Sequence, residues 1–178
     1  MTDYQALVAP TLDGLAGVLA DADEAWDWPS LCERWLVRHV VAHVTMPVRL
    51  TPEQFGAEMA AARGDFTVLS DTVALRDGDL PTSELLSQLR SPELHAWEPP
   101  GGGATGALTH AVIHSLDITL PLELPPAAPP AALDAVLTLL VDSQGAWFGV
   151  DPADVPTAGD PGQRVALLAG RRLVRPVG

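Results

Sequence analysis

The sequence predicts an all-α bundle. Apolar residues recur at intervals of three and four in several segments, helix start and stop signals bracket those segments, and no stretch alternates convincingly with period two. A chain of 178 residues with 47% apolar content is long enough to bury one substantial core.

Residues 3–22 open the chain as an amphipathic helix, with Tyr4, Leu7, Val8, Leu12, Leu15, Val18 and Leu19 in register. A tryptophan-rich connector, "EAWDWPSLCERW", leads into a second helix over 35–46, which Pro47 ends or kinks because it cannot donate to the helical ladder. Thr51 then caps a third helix running to about Arg63. Pro52 takes its first position, Gln54 closes a capping box, and Gly64 lies past the end. A short helix over 82–90, capped by Thr82 or Ser83, precedes a flexible turn, "EPPGGGATG". Residues 107–120 form the next helix, "PLELPPAAPP" is a spacer, and 131–147 make a last long helix. The segment "RVALLAGRR" reads equally as helix or strand.

A net charge of −13 argues against nucleic acid as a partner, since phosphate binding needs clustered positive charge. No apolar run is long enough to span a bilayer. "MTDYQALVAP" lacks the basic-then-apolar order of a signal peptide, so a cytoplasmic protein acting on a small molecule, as monomer or homodimer, is expected. One cysteine, Cys32, rules out an internal disulfide framework and a multi-cysteine metal knuckle. All ten basic residues are arginine, and alanine and proline are abundant, which suggests a GC-rich genome.

The chemistry concentrates in residues 110–117, "HAVIHSLD". At 3.6 residues per turn, His110, His114 and Asp117 fall within an arc of roughly 60°, flanked by Ile113 and Ile118. Histidines at i and i+4 reach one metal ion from one helix face, and Asp117 suits the outer N–H of a ligating ring. His43, on the apolar face of the second helix with Leu36, Val40 and Met46, is the best third ligand. Three histidines leave a metal position open to water or substrate. The competing reading is that these rings are hydrogen-bonded core residues. His39 lies in the first turn of its helix and reads as surface or cleft-lining, where it is a candidate general acid or base. His95 reads as a solvated loop residue. Arg34, Arg38, Arg63, Arg76 and Arg90 are all candidates to bind an acidic group.

Read in order, these segments resemble a family. "WPSLCERWLVRHVVAHV" is similar to the opening motif of the mycothiol-dependent maleylpyruvate isomerase family of the DinB-like superfamily, approximately Cys-Pro-Gly-Trp-Thr-Val-Arg-Asp-Leu-Val-Ala-His-Leu. "HAVIHSLDITLPL" resembles its second motif, approximately His-x-x-Val-His-Gly-Gln-Asp-Ile-Arg-Arg-Pro-Leu-Gly. "GVDPADVPTAGDPGQRVALLAGR" resembles its closing segment, which ends in a similar Ala-Gly-Arg. The resemblance implies a DinB-like four-helix bundle over 1–150 and a C-terminal extension over 151–178 packed on it. It also implies a divalent metal, generally zinc, on His43, His110 and His114, and mycothiol, an actinobacterial thiol, as co-substrate for isomerisation or S-transfer.

Several positions depart from the family pattern. Leu36 and His39 stand where a Thr and Asp would form a capping box, and Glu33-Arg34 replaces Pro-Gly. Ser115-Leu116 replaces Gly-Gln, Thr119-Leu120 replaces an arginine pair, and Pro47 shortens the metal-bearing helix. The pattern predicts a divergent metal-dependent enzyme with an altered substrate, with a non-catalytic metal- or ligand-binding protein as the alternative.

Overall fold

A computed structural model describes residues 2–173. Its α-helices are α1 (Val8–Ala20), α2 (Val37–Val44), α3 (Met46–Arg49), α4 (Pro52–Ala61), α5 (Phe66–Asp77), α6 (Thr82–Leu89), α7 (Pro92–His95), α8 (Gly103–Thr119), α9 (Pro130–Asp142) and α10 (Pro161–Leu168). The described residues contain no strand beyond an isolated bridge between Pro29 and Leu36. The architecture is all-α and DinB-like, as the sequence predicts.

Helix α8 is the hub, packing against α1, α2, α9 and α10. Its apolar residues meet no water on either side: Leu108, Val112, Leu116 and Ile118 are fully buried, among Leu15, Leu19, Val37, Val40 and Val136. A helix buried over most of its surface cannot show a clean amphipathic stripe, and any buried polar side chain on it needs a partner. At Gly14 of α1, an added Cβ would collide with the Ala127 carbonyl, so glycine lets the proline-rich spacer lie directly on the helix.

Boundaries follow the local chemistry. Thr51 Oγ1 accepts from Gln54 N–H at 3.2 Å and Gln54 Oε1 accepts from Thr51 N–H at 2.9 Å, the reciprocal pair read from the sequence. Met46–Arg49 forms a separate turn after an interruption at Thr45, with Pro47 among its first residues, where a missing N–H costs little. Neither Thr82 nor Ser83 caps α6: Pro81 holds that position, and no side chain accepts there. Helix α8 begins earlier than expected, taking in Gly103–Gly106, so the glycine-rich turn is shorter. Helix α9 ends at Asp142 instead of continuing to 147, because Gln144 (φ 49°) and Gly145 (φ 82°) leave the helical region. Helix α5, absent from the sequence reading, starts at an Asp65 cap whose Oδ1 accepts from Thr67 and Val68 N–H.

"RVALLAGRR" is helical through Leu168. Asp160 caps α10 with Pro161 at its first position, and the helix ends in a Schellman turn. Gly170 adopts φ 77°, its N–H donates to Leu167 O, and Arg171 N–H donates to Ala166 O. That reversal sends Arg171 back towards α8.

Candidate metal centre

Helices α2 and α8 face each other across the site. His43 comes from the buried face of α2 and is 6% exposed; His110 and His114 come from successive turns of α8. The three ring centroids stand 4.7–5.1 Å apart, and one ligand nitrogen from each ring lies within 4.8 Å of the other two. His43 Nε2 and His110 Nε2 are 3.1 Å apart. Burial and the neighbouring His114 ring push both His43 and His110 well below the ordinary histidine range, so both are neutral near pH 7. Neutral imidazoles offer lone pairs, the form a metal requires.

Below the rings sits a charged clamp. Asp117 is fully buried. Its Oδ2 lies 2.9 Å from His114 Nδ1, 2.9 Å from Arg171 Nη2 and 3.1 Å from the Cys32 thiol sulfur. Its Oδ1 accepts from Arg171 Nε at 2.7 Å. Burial alone would raise this carboxyl, but hydrogen bonds from His114 and Arg171 hold it well below the usual carboxylate range. Asp117 thus engages Nδ1 of His114 and leaves Nε2 for the cluster, which fixes the ring's orientation. Cys32 is a thiol, not a thiolate: burial pushes its pKa far up and the Asp117 charge adds to the effect. The connector is anchored here as well, since Leu31 N–H donates to the Asp117 carbonyl at 2.9 Å.

The clusters open onto a cavity of about 800 Å³, bounded by Met46, Pro47 and Leu50 near α3, by Phe55 and Phe66 from α4 and α5, and by Trp97, Ile113, Trp147 and Phe148. His43, His110, His114 and Arg171 supply its polar floor.

The structure therefore brings His43, His110, His114 and Asp117 together, and it keeps His39 out. His39 does not line the cavity; its ring lies against Gly78, and its Nδ1 accepts from Leu36 N–H at 3.1 Å. The expected cleft position for His39 is corrected accordingly. Half of the capping box thought lost is rebuilt, with a neutral imidazole replacing a carboxylate. Burial and the Arg38 charge lower its pKa, which keeps that nitrogen an acceptor. His95 is not a solvated loop residue: it ends α7, with Nε2 2.9 Å from Leu89 O.

None of the five arginines proposed for an acidic group lines the cavity. Arg34 pairs with Asp71, Arg38 with Asp27, and Arg76 with Glu58 and Asp77. Arg171 is the residue missed, although the Ala-Gly-Arg ending carried the signal: glycine supplies the reversal and arginine the charge.

The donor set fits a divalent ion. Two nitrogens about 2.0–2.1 Å from one tetrahedral zinc stand about 3.3 Å apart, close to the His43–His110 separation. His114, oriented by a carboxylate, has the support that ligating histidines usually have.

Fold and site together define an all-α DinB-like protein with a group of three histidines able to hold a metal. Residues 8–97, about half of the chain, match the family described as mycothiol maleylpyruvate isomerase N-terminal domain, and the chain belongs to that family. The match includes His43 and ends before His110 and His114. No curated protein and no solved structure matches the chain. Among the described residues, no helix is long and apolar enough to cross a membrane.

Proposed function

We propose that the protein is a metal-dependent enzyme of the thiol-using kind, a cis–trans isomerase or S-transferase acting on an electrophilic small molecule. His43, His110 and His114 would hold a divalent ion, zinc by donor type, with mycothiol as the thiol co-substrate. One observation carries the reading: three histidines from two facing helices converge, each with a ring nitrogen towards the others, on the lining of one cavity. A divalent ion held by these three histidines would supply Lewis acidity that favours the thiolate form of a thiol at neutral pH.

The chain's own residues do the rest. Asp117 holds the His114 ring in one tautomer and orientation. Arg171 balances the Asp117 charge, so the buried carboxylate need not take up a proton. The apolar walls limit water around the reacting atoms. Cys32, held as a thiol against Asp117, is positioned for structure and is a poor nucleophile.

Elemental analysis of the purified protein is expected to give one metal per chain. Chelation is expected to abolish turnover of mycothiol with an activated alkene, and zinc to restore it. Turnover unchanged in chelated protein would overturn the enzyme reading; stoichiometric metal with no thiol chemistry on any electrophile would leave a binding protein.

A further inference from the structure

The cavity's chemistry is narrower than the reaction class requires. Five aromatic side chains bound it: Phe55, Phe66, Trp97, Trp147 and Phe148. Three of them are left in water at the mouth, with Phe66 50%, Trp147 45% and Phe148 41% exposed. Clustered exposed rings around a concave site mark a surface kept for a ligand. Trp147 and Phe148 reach the mouth because the chain breaks out of α9 after Asp142.

Charge is the other half of the observation. Arg171 is the lone Arg or Lys among the described lining residues, and no Asp or Glu joins it. Its Nε and Nη2 are bound to Asp117 and its Nη1 donates to the Ala169 carbonyl at 3.3 Å. The hydroxyl of Thr109, a further polar lining group, is turned back to Thr105 O at 2.8 Å. Away from the histidines, a ligand carboxylate among these walls would lose its water against apolar rings, and the Arg171 charge is already matched by Asp117. A planar apolar group would gain burial and edge or face contacts with several rings. The volume, about 800 Å³, suits a drug-sized molecule.

We propose that the electrophile taken by this cavity is a neutral, ring-bearing apolar molecule and not a small carboxylate. The proposal rests on the metal reading above, because the three histidines place the reacting centre at the cavity floor. The anionic partner in the reaction is then the thiol, whose polar remainder stays at the mouth.

Two probes of matched shape separate the alternatives: 2-(methylsulfonyl)naphthalene, which is neutral, and 2-naphthalenesulfonate, which is anionic and coordinates metals weakly. Titrated calorimetrically into the metal-loaded full chain, the sulfone is expected to bind at least tenfold more tightly. Trp147→Ala is expected to weaken sulfone binding about tenfold with metal content unchanged. Equal or tighter binding of the sulfonate, no sulfone binding at millimolar concentration, or no effect of Trp147→Ala would overturn the proposal. Metal analysis of the same samples keeps the two readings apart. Sulfone preference in a protein without metal supports the ligand class and removes the metal reading. Stoichiometric metal with sulfonate preference keeps the metal and removes the ligand class.

Discussion

The histidine cluster and the Asp117 clamp share one residue, His114, yet they are built on opposite terms. In the clamp every group is satisfied: the carboxylate oxygens of Asp117 meet His114, Cys32 and Arg171, and the negative charge is matched by a guanidinium. In the cluster the partners run short. His43 and His110 face each other nitrogen to nitrogen, and the buried His43 Nδ1 has no hydrogen-bond partner. A neutral ring carries one proton, so either tautomer of His43 leaves that Nδ1 unsatisfied. A fully paired network rigidifies, whereas a partly paired one is tolerated where it serves a ligand. The clamp is scaffold for the cluster, and the cluster is the part left available.

Breaking the cluster should have the largest effect. His43→Ala, His110→Ala and His114→Ala are each expected to lower metal affinity by at least about a hundredfold, read by competition with a chromogenic chelator. Three variants that all keep stoichiometric metal would show the ion, if any, lies elsewhere. Stability should change little by comparison in the His43 and His110 variants, which leave no unpaired charge. His114→Ala also takes a hydrogen bond from the buried Asp117 carboxylate and should cost more.

The clamp should respond the other way. Arg171→Met leaves Asp117 charged and buried with one cation fewer, at an expected cost of about 3 kcal/mol in urea unfolding. Metal affinity should fall as well, through the loosened His114 ring, by about tenfold. Loss of metal without loss of stability would contradict the assigned division of labour.

Acid separates the two regions along one axis. In metal-free protein, His43 and His110 are held below their ordinary pKa, while the unfolded chain takes up protons on them below about pH 6.5. The unfolded state then binds more protons, so stability should decline as pH falls through that point. Asp117 is also held low, so its contribution is present above about pH 4 and is lost only on further acidification. Urea midpoints against pH should therefore fall in two steps, and Arg171→Met should blunt the lower one.

The smallest effect tests how the clamp is delivered. Gly170→Ala places a Cβ at φ 77°, which costs about 1 kcal/mol and loosens the turn that aims Arg171. A modest stability loss should accompany a metal affinity between those of the native protein and Arg171→Met.

Legibility differed along the chain for identifiable reasons. Thr51–Gln54 and Gly64 are local signals, and a capping box needs only its own four residues. Helix α5 escaped because Phe66, Val68 and Leu75 are exposed while Leu69 and Val73 are buried, so apolar residues on both sides erase the period. The start of α8 was hidden by its glycines, and the end of α9 by apolar residues that continue past it.

By itself the sequence determined the all-α class, most helix positions and the shared face of His110, His114 and Asp117, because helical geometry makes those matters of spacing. It also pointed to His43, through the apolar face around it. Tertiary structure alone decided that His39 caps its own helix, that Cys32 and Arg171 close on one carboxylate, and that five rings wall a cavity whose lining arginine is already paired. Arg171 lies 54 residues from Asp117 in the chain, and Cys32 lies 85. Contacts across such separations depend on how whole helices pack, and no local period encodes them.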